Sequence, residues 1–431
     1  MELKEACKLI DDVILKTTME QFKHVKLEDR SILSDKYFTA MEGAKIERGD
    51  VTTPKFLRDK MISTIPSEFW KTPKKVIEPA CGRGGFLLDI INNFMEGLKD
   101  EIKDIGERYK FIVENCVWFA DIFETNIDIC KKIIDPDNEF KLNYFVCDSL
   151  KHDFKIKFDA VVMNPPYNKH GIMKGATAYQ EFTLRALAEW VNDDGYLLVV
   201  IPPGWRRPQT VRSRWRTMFK TMAHDNQIIS LFMNSIDTGK KLFNCSTRFD
   251  EILIKKTPCT TTTKITDFKN VVSILNLLEY EWLPNYSIEY INSLMGGNSF
   301  YIRSTRRLTD VKNIPDEKYK YKVIKTVNKT KVNYLYSPIQ SVVGLYGVPK
   351  IVWDRNGGIR NLVIDETGEY MCSGECICIK YTTKKNADYI TKKLLSKEFN
   401  NNIMNACNYS MYQLEAVIFE RFNDSFYTDP N

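Results

Sequence analysis

Phe158-Asp159-Ala160-Val161-Val162-Met163-Asn164-Pro165-Pro166-Tyr167 is an apolar run that ends in a rigid turn. Its length and its valines read as a buried strand. Two consecutive prolines fix the backbone dihedrals and remove two N–H donors. Asn164 precedes a proline and is pushed out of the α region. The turn therefore holds one amide side chain and several carbonyl oxygens in fixed positions, with an aromatic ring beside them. Such a group can accept hydrogen bonds from a planar exocyclic amine while the ring stacks on whatever carries that amine.

Outward from this turn, short β-rich runs alternate with helical stretches. Strands are predicted at 75–78, 117–121, 144–147, 159–163, 196–201, 228–233 and 251–255, and helices at 86–94, 127–134 and 178–191. The alternation predicts an α/β fold: an open, mostly parallel sheet with helices on both faces. Ligands of such sheets sit at the carboxyl ends of the strands. The stretch Val76-Ile77-Glu78-Pro79-Ala80-Cys81-Gly82-Arg83-Gly84-Gly85-Phe86 reads as a strand, a glycine-rich turn and a helix start. Glycines permit close backbone approach, and a helix N-terminus offers N–H groups. An acid at the strand tip, followed by Gly82-Arg83-Gly84-Gly85, suits a cofactor without a pyrophosphate. Acids recur where the next two strands end, Asp121 before Ile122 and Asp148 before Ser149. A carboxylate after the second strand can bind ribose hydroxyls, and one after the third can accept from an adenine amine.

The 431 residues, 43% of them apolar, are enough for two domains. The net charge is +6, but residues 301–350 carry 11 Lys and Arg against three acids, Asp310, Asp316 and Glu317. That block suggests a polyanionic partner, or else a solvated lysine-rich surface. Eleven scattered cysteines without a CxxC pair, and four histidines, argue against a dedicated metal site. The charged start Met1-Glu2-Leu3-Lys4-Glu5 does not resemble a signal peptide, and the longest apolar run, 196–203, is too short for a bilayer. The expectation is an intracellular, cytoplasmic protein that does not enter membranes. Residues 1–47 form an N-terminal helical segment, with Leu3, Cys7, Ile10, Val13, Ile14 and Leu15 at helical spacing. A catalytic domain is expected over 48–258, with an extra helical insertion at 96–116. After the threonine-rich 257–263 the βα rhythm stops, and 259–431 reads as a second, α+β domain.

Glu78-Pro79-Ala80-Cys81-Gly82-Arg83-Gly84-Gly85-Phe86 resembles motif I of S-adenosylmethionine-dependent methyltransferases, and Asn164-Pro165-Pro166-Tyr167 resembles motif IV of the N6-adenine DNA methyltransferases. Gly49-Asp50-Val51-Thr52-Thr53-Pro54-Lys55-Phe56-Leu57 is similar to motif X, which in the family touches the methionine end of the cofactor. This order, with a target recognition domain behind it, is that of the gamma class of restriction–modification methyltransferases. The resemblance covers roughly 48–256 and implies a Rossmann-like methyltransferase sheet. It implies that Thr53, Pro54, Glu78, Ala80, Cys81, Gly82, Gly84, Phe86, Asp121, Ile122, Asp148, Ser149 and Asn164 surround S-adenosyl-L-methionine. It implies catalysis by Asn164, Pro165, Pro166 and Tyr167.

The chemistry that follows is base flipping and direct in-line transfer to adenine N6 in duplex DNA, without a metal. Asn164 Oδ1 and the Pro165 carbonyl would accept from N6–H and expose a lone pair otherwise conjugated with the ring. Tyr167 would stack on the base, with Phe243 or Phe249 as the second ring. Arg206, Arg207, Arg306, Arg307 and Arg355 are candidate DNA contacts. A separate restriction endonuclease is a conceivable partner, and a monomer is expected. The same turn also serves enzymes that methylate RNA bases or a glutamine amide in release factors, and a non-catalytic DNA-binding protein on this fold is a further reading.

Overall fold

All seven predicted strands are present and belong to one sheet. They are β1 (Val76–Glu78), β2 (Val117–Asp121), β3 (Asn143–Val146), β4 (Phe158–Met163), β5 (Val191–Ile201), β6 (Gln227–Asn234) and β7 (Phe249–Lys255). The computed structural model describes residues 30, 52–167, 177–210, 213–302, 310–356, 358–409 and 416–429. Two further strands, β8 (Thr263–Thr266) and β9 (Val272–Leu275), extend the sheet to nine, in the order β3-β2-β1-β4-β5-β7-β6-β8-β9. The first five are parallel, and β7 enters antiparallel between β5 and β6. Every residue of β1 and β2 is buried, as parallel strands covered on both faces require.

The helices that cover the site half of the sheet are α1 (Lys55–Ile62), α2 (Gly85–Gly97), α3 (Ile105–Asn115) and α4 (Glu124–Ile134). Leu57 and Met61 of α1 join Phe86, Ile90 and Phe94 of α2 in one core with Val76, Val117, Ala160 and Leu198. The insertion expected at 96–116 contributes α3, which starts where Asp104 Oδ1 accepts the Glu107 N–H at 2.8 Å, a side-chain N-cap. The helix predicted over 178–191 is shorter. It runs as α5 (Tyr179–Arg185), widens into a π turn over Ala186–Trp190, and gives way to β5 at Val191, which pairs with Phe158. After β5 come α6 (Met218–Ala223) and α7 (Ile236–Phe243).

The chain divides into two compact units, Met1–Trp205 with Arg214–Glu281, and Arg206–Ser213 with Trp282–Asn431. The boundary expected at 258 therefore moves. The threonine run that looked like a linker leads into β8. Gln227 Oε1 accepts the N–H groups of Thr260 and Thr261 at 3.1 and 3.0 Å, and Thr263 Oγ1 donates to the Ile228 carbonyl at 2.7 Å. β8 then pairs with β6. The segment 1–47 lies outside the described residues except for Arg30, which donates to the Ile133 carbonyl at 3.1 Å.

The second unit is α+β. Strands β10 (Tyr301–Ile302), β13 (Lys350–Asp354), β14 (Val363–Asp365) and β16 (Cys376–Ile379) form one sheet, and β11 (Tyr321–Val327), β12 (Val332–Ser337) and β15 (Met371–Cys372) another. Its helices include α8 (Ile288–Ser293), α9 (Lys384–Leu395), α10 (Ala416–Arg421) and α11 (Asp424–Tyr427). Phe422 and Phe426 stack at 4.1 Å, and Phe399 and Phe419 pack around them. Lys350 is buried, and its ammonium donates to Asp365 Oδ2 at 2.5 Å and to the Leu345 and Val348 carbonyls at 3.1 and 3.0 Å. All three donors of the lysine are thereby used.

Arg206, expected at DNA phosphates, is instead fully buried in this unit. Its guanidinium donates to the carbonyls of Leu283 and Pro284, both at 3.1 Å, and to Asn285 Oδ1 at 3.0 Å, and it lies over the Tyr409 ring. An arginine that closes three buried acceptors is a structural clamp, because removing it takes a buried donor from each of them, although the Leu283 carbonyl also accepts from the Tyr409 hydroxyl at 2.5 Å. Among the described residues no helix is long and apolar enough to cross a membrane. Arg206→Ala is expected to destabilise the protein by about 3 kcal/mol, read as a lower denaturant midpoint; an unchanged midpoint would contradict the clamp.

Candidate active site

The register of the parallel strands sets the site. Glu78 ends β1 opposite Phe119, so Asp121 lies two residues further along β2. Asp121 is opposite Val146 of β3, so Asp148 follows two residues later. Ile77 pairs with Val161 of β4, and Asn164 comes just after that strand. Four polar side chains are thus staggered along one carboxyl edge.

Glu78 is buried, and its Oε2 has no hydrogen-bond partner among the described residues. Desolvation pushes its carboxyl well above the usual carboxylate range, Asp121 and Asp89 push the same way, and the Arg58 guanidinium opposes them. Asp121 shapes the glycine-rich turn: Oδ2 accepts the Gly82 N–H at 2.9 Å and Oδ1 the Phe123 N–H at 2.8 Å. Ile122 beside it is half exposed. Asp148 accepts the Leu150 N–H at 3.1 Å and pairs with Lys151 at 2.9 Å. Ala80 and Gly82 are partly exposed on the turn between these acids. Gly82 and Gly84 both have positive φ, 50° and 81°, and Gly84 is the residue from which α2 starts. A Cβ on Gly84 would lie 3.0 Å from Cys130 Sγ, so both the dihedral and the space call for glycine there.

Three residues expected around the cofactor face inward. Phe86 is buried in the core under the turn, because it is on the sheet-facing side of α2. Cys81 is buried with its thiol 3.7 Å from that of Cys130, and burial pushes it up. Its contribution to the turn is through the backbone, its N–H donating to the Ala120 carbonyl at 2.9 Å. Ser149 is buried and its hydroxyl donates to the Pro79 carbonyl at 2.5 Å, bracing one loop on the other.

Thr53 and Pro54 stand at the start of α1, where the Pro54 carbonyl accepts the N–H groups of Leu57 and Arg58 at 3.0 and 3.1 Å. Thr53 Oγ1 accepts from Asn164 Nδ2 at 3.0 Å. Arg58, which the sequence reading did not single out, is buried. Its Nε pairs with Asp89 Oδ2 of α2 and its Nη1 donates to the Thr53 carbonyl, both at 2.5 Å. Asp89 was legible as the lone acid in Phe86-Leu87-Leu88-Asp89-Ile90-Ile91, since such an acid needs a buried partner. A Cβ on Gly85 would come within 2.9 Å of Arg58, which explains the third glycine of the turn.

Pro165 is buried, and Pro166 and Tyr167 are partly exposed. The Tyr167 carbonyl accepts the Ala178 N–H at 3.0 Å, and its ring meets Tyr179 edge-on at 6.2 Å. Phe243 and Phe249, the two rings expected to offer the second stacking surface, both belong to the core cluster of this structure. They pack edge-to-face at 5.0 Å inside the core, and both are buried. Behind the turn Trp205 Nε1 donates to Asp250 Oδ2 at 2.8 Å, both side chains being buried. In the second unit Arg207 and Arg355 are partly exposed; Arg306 and Arg307 lie outside the described residues.

A sheet of this strand order, with acids after its first three strands and an amide turn after the fourth, has the Rossmann-like methyltransferase architecture. Residues 31–199 match the family model described as N-6 DNA Methylase, so the resemblance to N6-adenine methyltransferases is borne out over that segment. The chain is 26% identical over 178 residues to the modification methylase CviBIII of Paramecium bursaria Chlorella virus NC1A, a match of 38% of this chain and 40% of that protein's length. Among solved structures, a type I restriction-modification methyltransferase subunit from Streptococcus thermophilus aligns with 17% identity and a TM-score of 0.41, over 55% of this chain and 50% of that one. The type IIL restriction-modification enzyme MmeI in complex with DNA aligns with 11% identity and a TM-score of 0.49, over 94% of this chain and 67% of that one.

A raised folded-state pKa at Glu78 means that the carboxyl stabilises the fold below its ordinary pKa and ceases to as pH rises through the raised value. Glu78→Gln is therefore expected to raise the melting temperature of the cofactor-free protein near about pH 8, with the gain shrinking toward about pH 4. Melting curves across that range check it; a gain that does not change with pH would show that the carboxyl is not strained by burial.

Proposed function

We propose that this protein transfers a methyl group from S-adenosyl-L-methionine to N6 of adenine in duplex DNA at a particular sequence. The observation that carries the reading is the Asn164 amide, held by Thr53 on the same sheet edge as Glu78, Asp121 and Asp148. The match of residues 31–199 to the N-6 DNA Methylase model supports it.

The residues present fit that cofactor. Glu78 has a buried oxygen suited to an ammonium group, the Gly82–Gly84 turn and the α2 N-terminus leave room for close backbone approach, and Asp121 and Asp148 follow the strands where ribose hydroxyls and an adenine amine are met. When bound, the cofactor supplies an electrophilic methyl group on a sulfonium sulfur. Asn164 Oδ1 and the Pro165 carbonyl accept hydrogen bonds from the target amine and expose its lone pair toward that methyl. Tyr167 stacks on the base and offsets part of the few kcal/mol that unstacking it costs. Catalysis by these groups is positioning together with stabilisation of the charge that develops on nitrogen. The basic, aromatic second unit is the part proposed to recognise the DNA, and the protein is proposed to work inside a cell, as a monomer or beside a separate restriction endonuclease.

Incubation with labelled cofactor and, separately, duplex DNA, RNA and release factor tests the substrate. Label is expected in DNA at N6-methyladenine; label in RNA or protein alone would overturn the reading. Asn164→Ala is expected to lower turnover by a factor of about 100 or more while cofactor affinity stays within about threefold. An equal loss of cofactor affinity would make Asn164 a structural residue.

A further inference from the structure

An asparagine amide has an accepting end and a donating end, and only one of them is useful to a target amine. At Asn164 the donating end is committed: Nδ2 gives its hydrogen bond to Thr53 Oγ1 at 3.0 Å. Thr53 is itself held from behind, because Arg58 Nη1 donates to its carbonyl while Arg58 Nε is paired with Asp89. All three supporting side chains are at most 5% exposed. The two turns are 111 residues apart in the chain, so this contact forms only when the chain folds.

We propose that Thr53 is a positioning residue for the methyl transfer: its hydroxyl, accepting from Asn164 Nδ2, fixes the place and plane of the amide that is offered to the target amine, and the Arg58–Asp89 pair holds Thr53. This rests on the proposed amine methylation and adds to it a role for the Thr-Pro turn beyond touching the cofactor. The Arg58 pair matters because a buried, doubly anchored guanidinium keeps the Thr53 backbone from drifting by the fraction of an ångström that positioning tolerates.

Thr53→Val keeps the shape and removes the acceptor, whereas Thr53→Ser keeps the hydroxyl. The Val variant is expected to lose about 10- to 100-fold in kcat at saturating cofactor, and the Ser variant to recover most of the loss. In an Asn164→Ala background Thr53→Val is expected to have no further effect, since it acts through that amide. Additive losses in the double variant, or a kcat at saturating cofactor that stays at the wild-type value in Thr53→Val, would overturn the inference. A readout that needs no substrate separates this from the substrate reading: in protein labelled with ¹⁵N-asparagine, the side-chain amide signal that disappears in Asn164→Ala should shift in Thr53→Val and stay in place in Thr53→Ser. A signal unmoved by Thr53→Val would overturn the inference even if the substrate were shown to be DNA adenine. If the wild-type protein labels RNA or protein instead, the same kinetic comparison is made with that substrate.

Discussion

A parallel strand buried on both faces has one favourable place for a polar side chain, and that is its carboxyl end. β1, β2 and β4 are apolar and buried along nearly their whole length. Desolvating an unpaired carboxylate inside them would cost several kcal/mol. Glu78, Asp121, Asp148 and Asn164 are consequently gathered at one edge. The same parallel pairing requires crossovers, so α2 starts at that edge and aims its N-terminus at the acids.

That concentration of charge has to be balanced. Glu78, Asp89 and Asp121 lie close enough to act on one another, and Arg58 is the buried cation that offsets them. Arg58 suits this place better than lysine would, because its planar fork serves Asp89 and the Thr53 carbonyl together. Even so, Glu78 keeps an oxygen without a hydrogen-bond partner among the described residues. A site with this surplus of carboxyl groups favours a cationic ligand over an anionic one, and it agrees with the lack of a pyrophosphate-type glycine pattern in the turn. The two glycines with positive φ and the one under Arg58 have separate causes: backbone dihedral at Gly82 and Gly84, and room for a guanidinium at Gly85.

The second unit relies on different physics. Its strands are short, and its stability comes from an aromatic cluster around Phe399, Phe419, Phe422 and Phe426, and from two buried cations, Lys350 and Arg206, each with its donors spent on buried oxygens. Charge at these two positions is internal. The sequence pattern could not separate them from Arg207 and Arg355, which are partly exposed, because a basic residue looks the same whether its partners are carbonyls inside the fold or phosphates outside it.

Periodicity and turn chemistry determined the strands, the Glu78–Phe86 turn and the Asn164-Pro165-Pro166-Tyr167 turn, since these depend on neighbours in the chain. The threonine run at 257–263 misled for the converse reason: its hydroxyl and N–H groups are satisfied by Gln227 and Ile228, which no local pattern reveals. Phe86, Phe243 and Phe249 were candidates for ligand contact because an aromatic in the core and one at a site are the same residue type; only packing showed them to be core. The sequence by itself therefore determined which chemical groups this protein has and at which strand ends they emerge. Only the tertiary structure decided which of them face outward and how they are held, with Arg58 and Asp89 fastening Thr53, and Thr53 fastening Asn164. Two of those contacts, Arg58 to Asp89 and Thr53 to Asn164, join residues 31 and 111 positions apart, and that distance lies beyond the reach of any local rule.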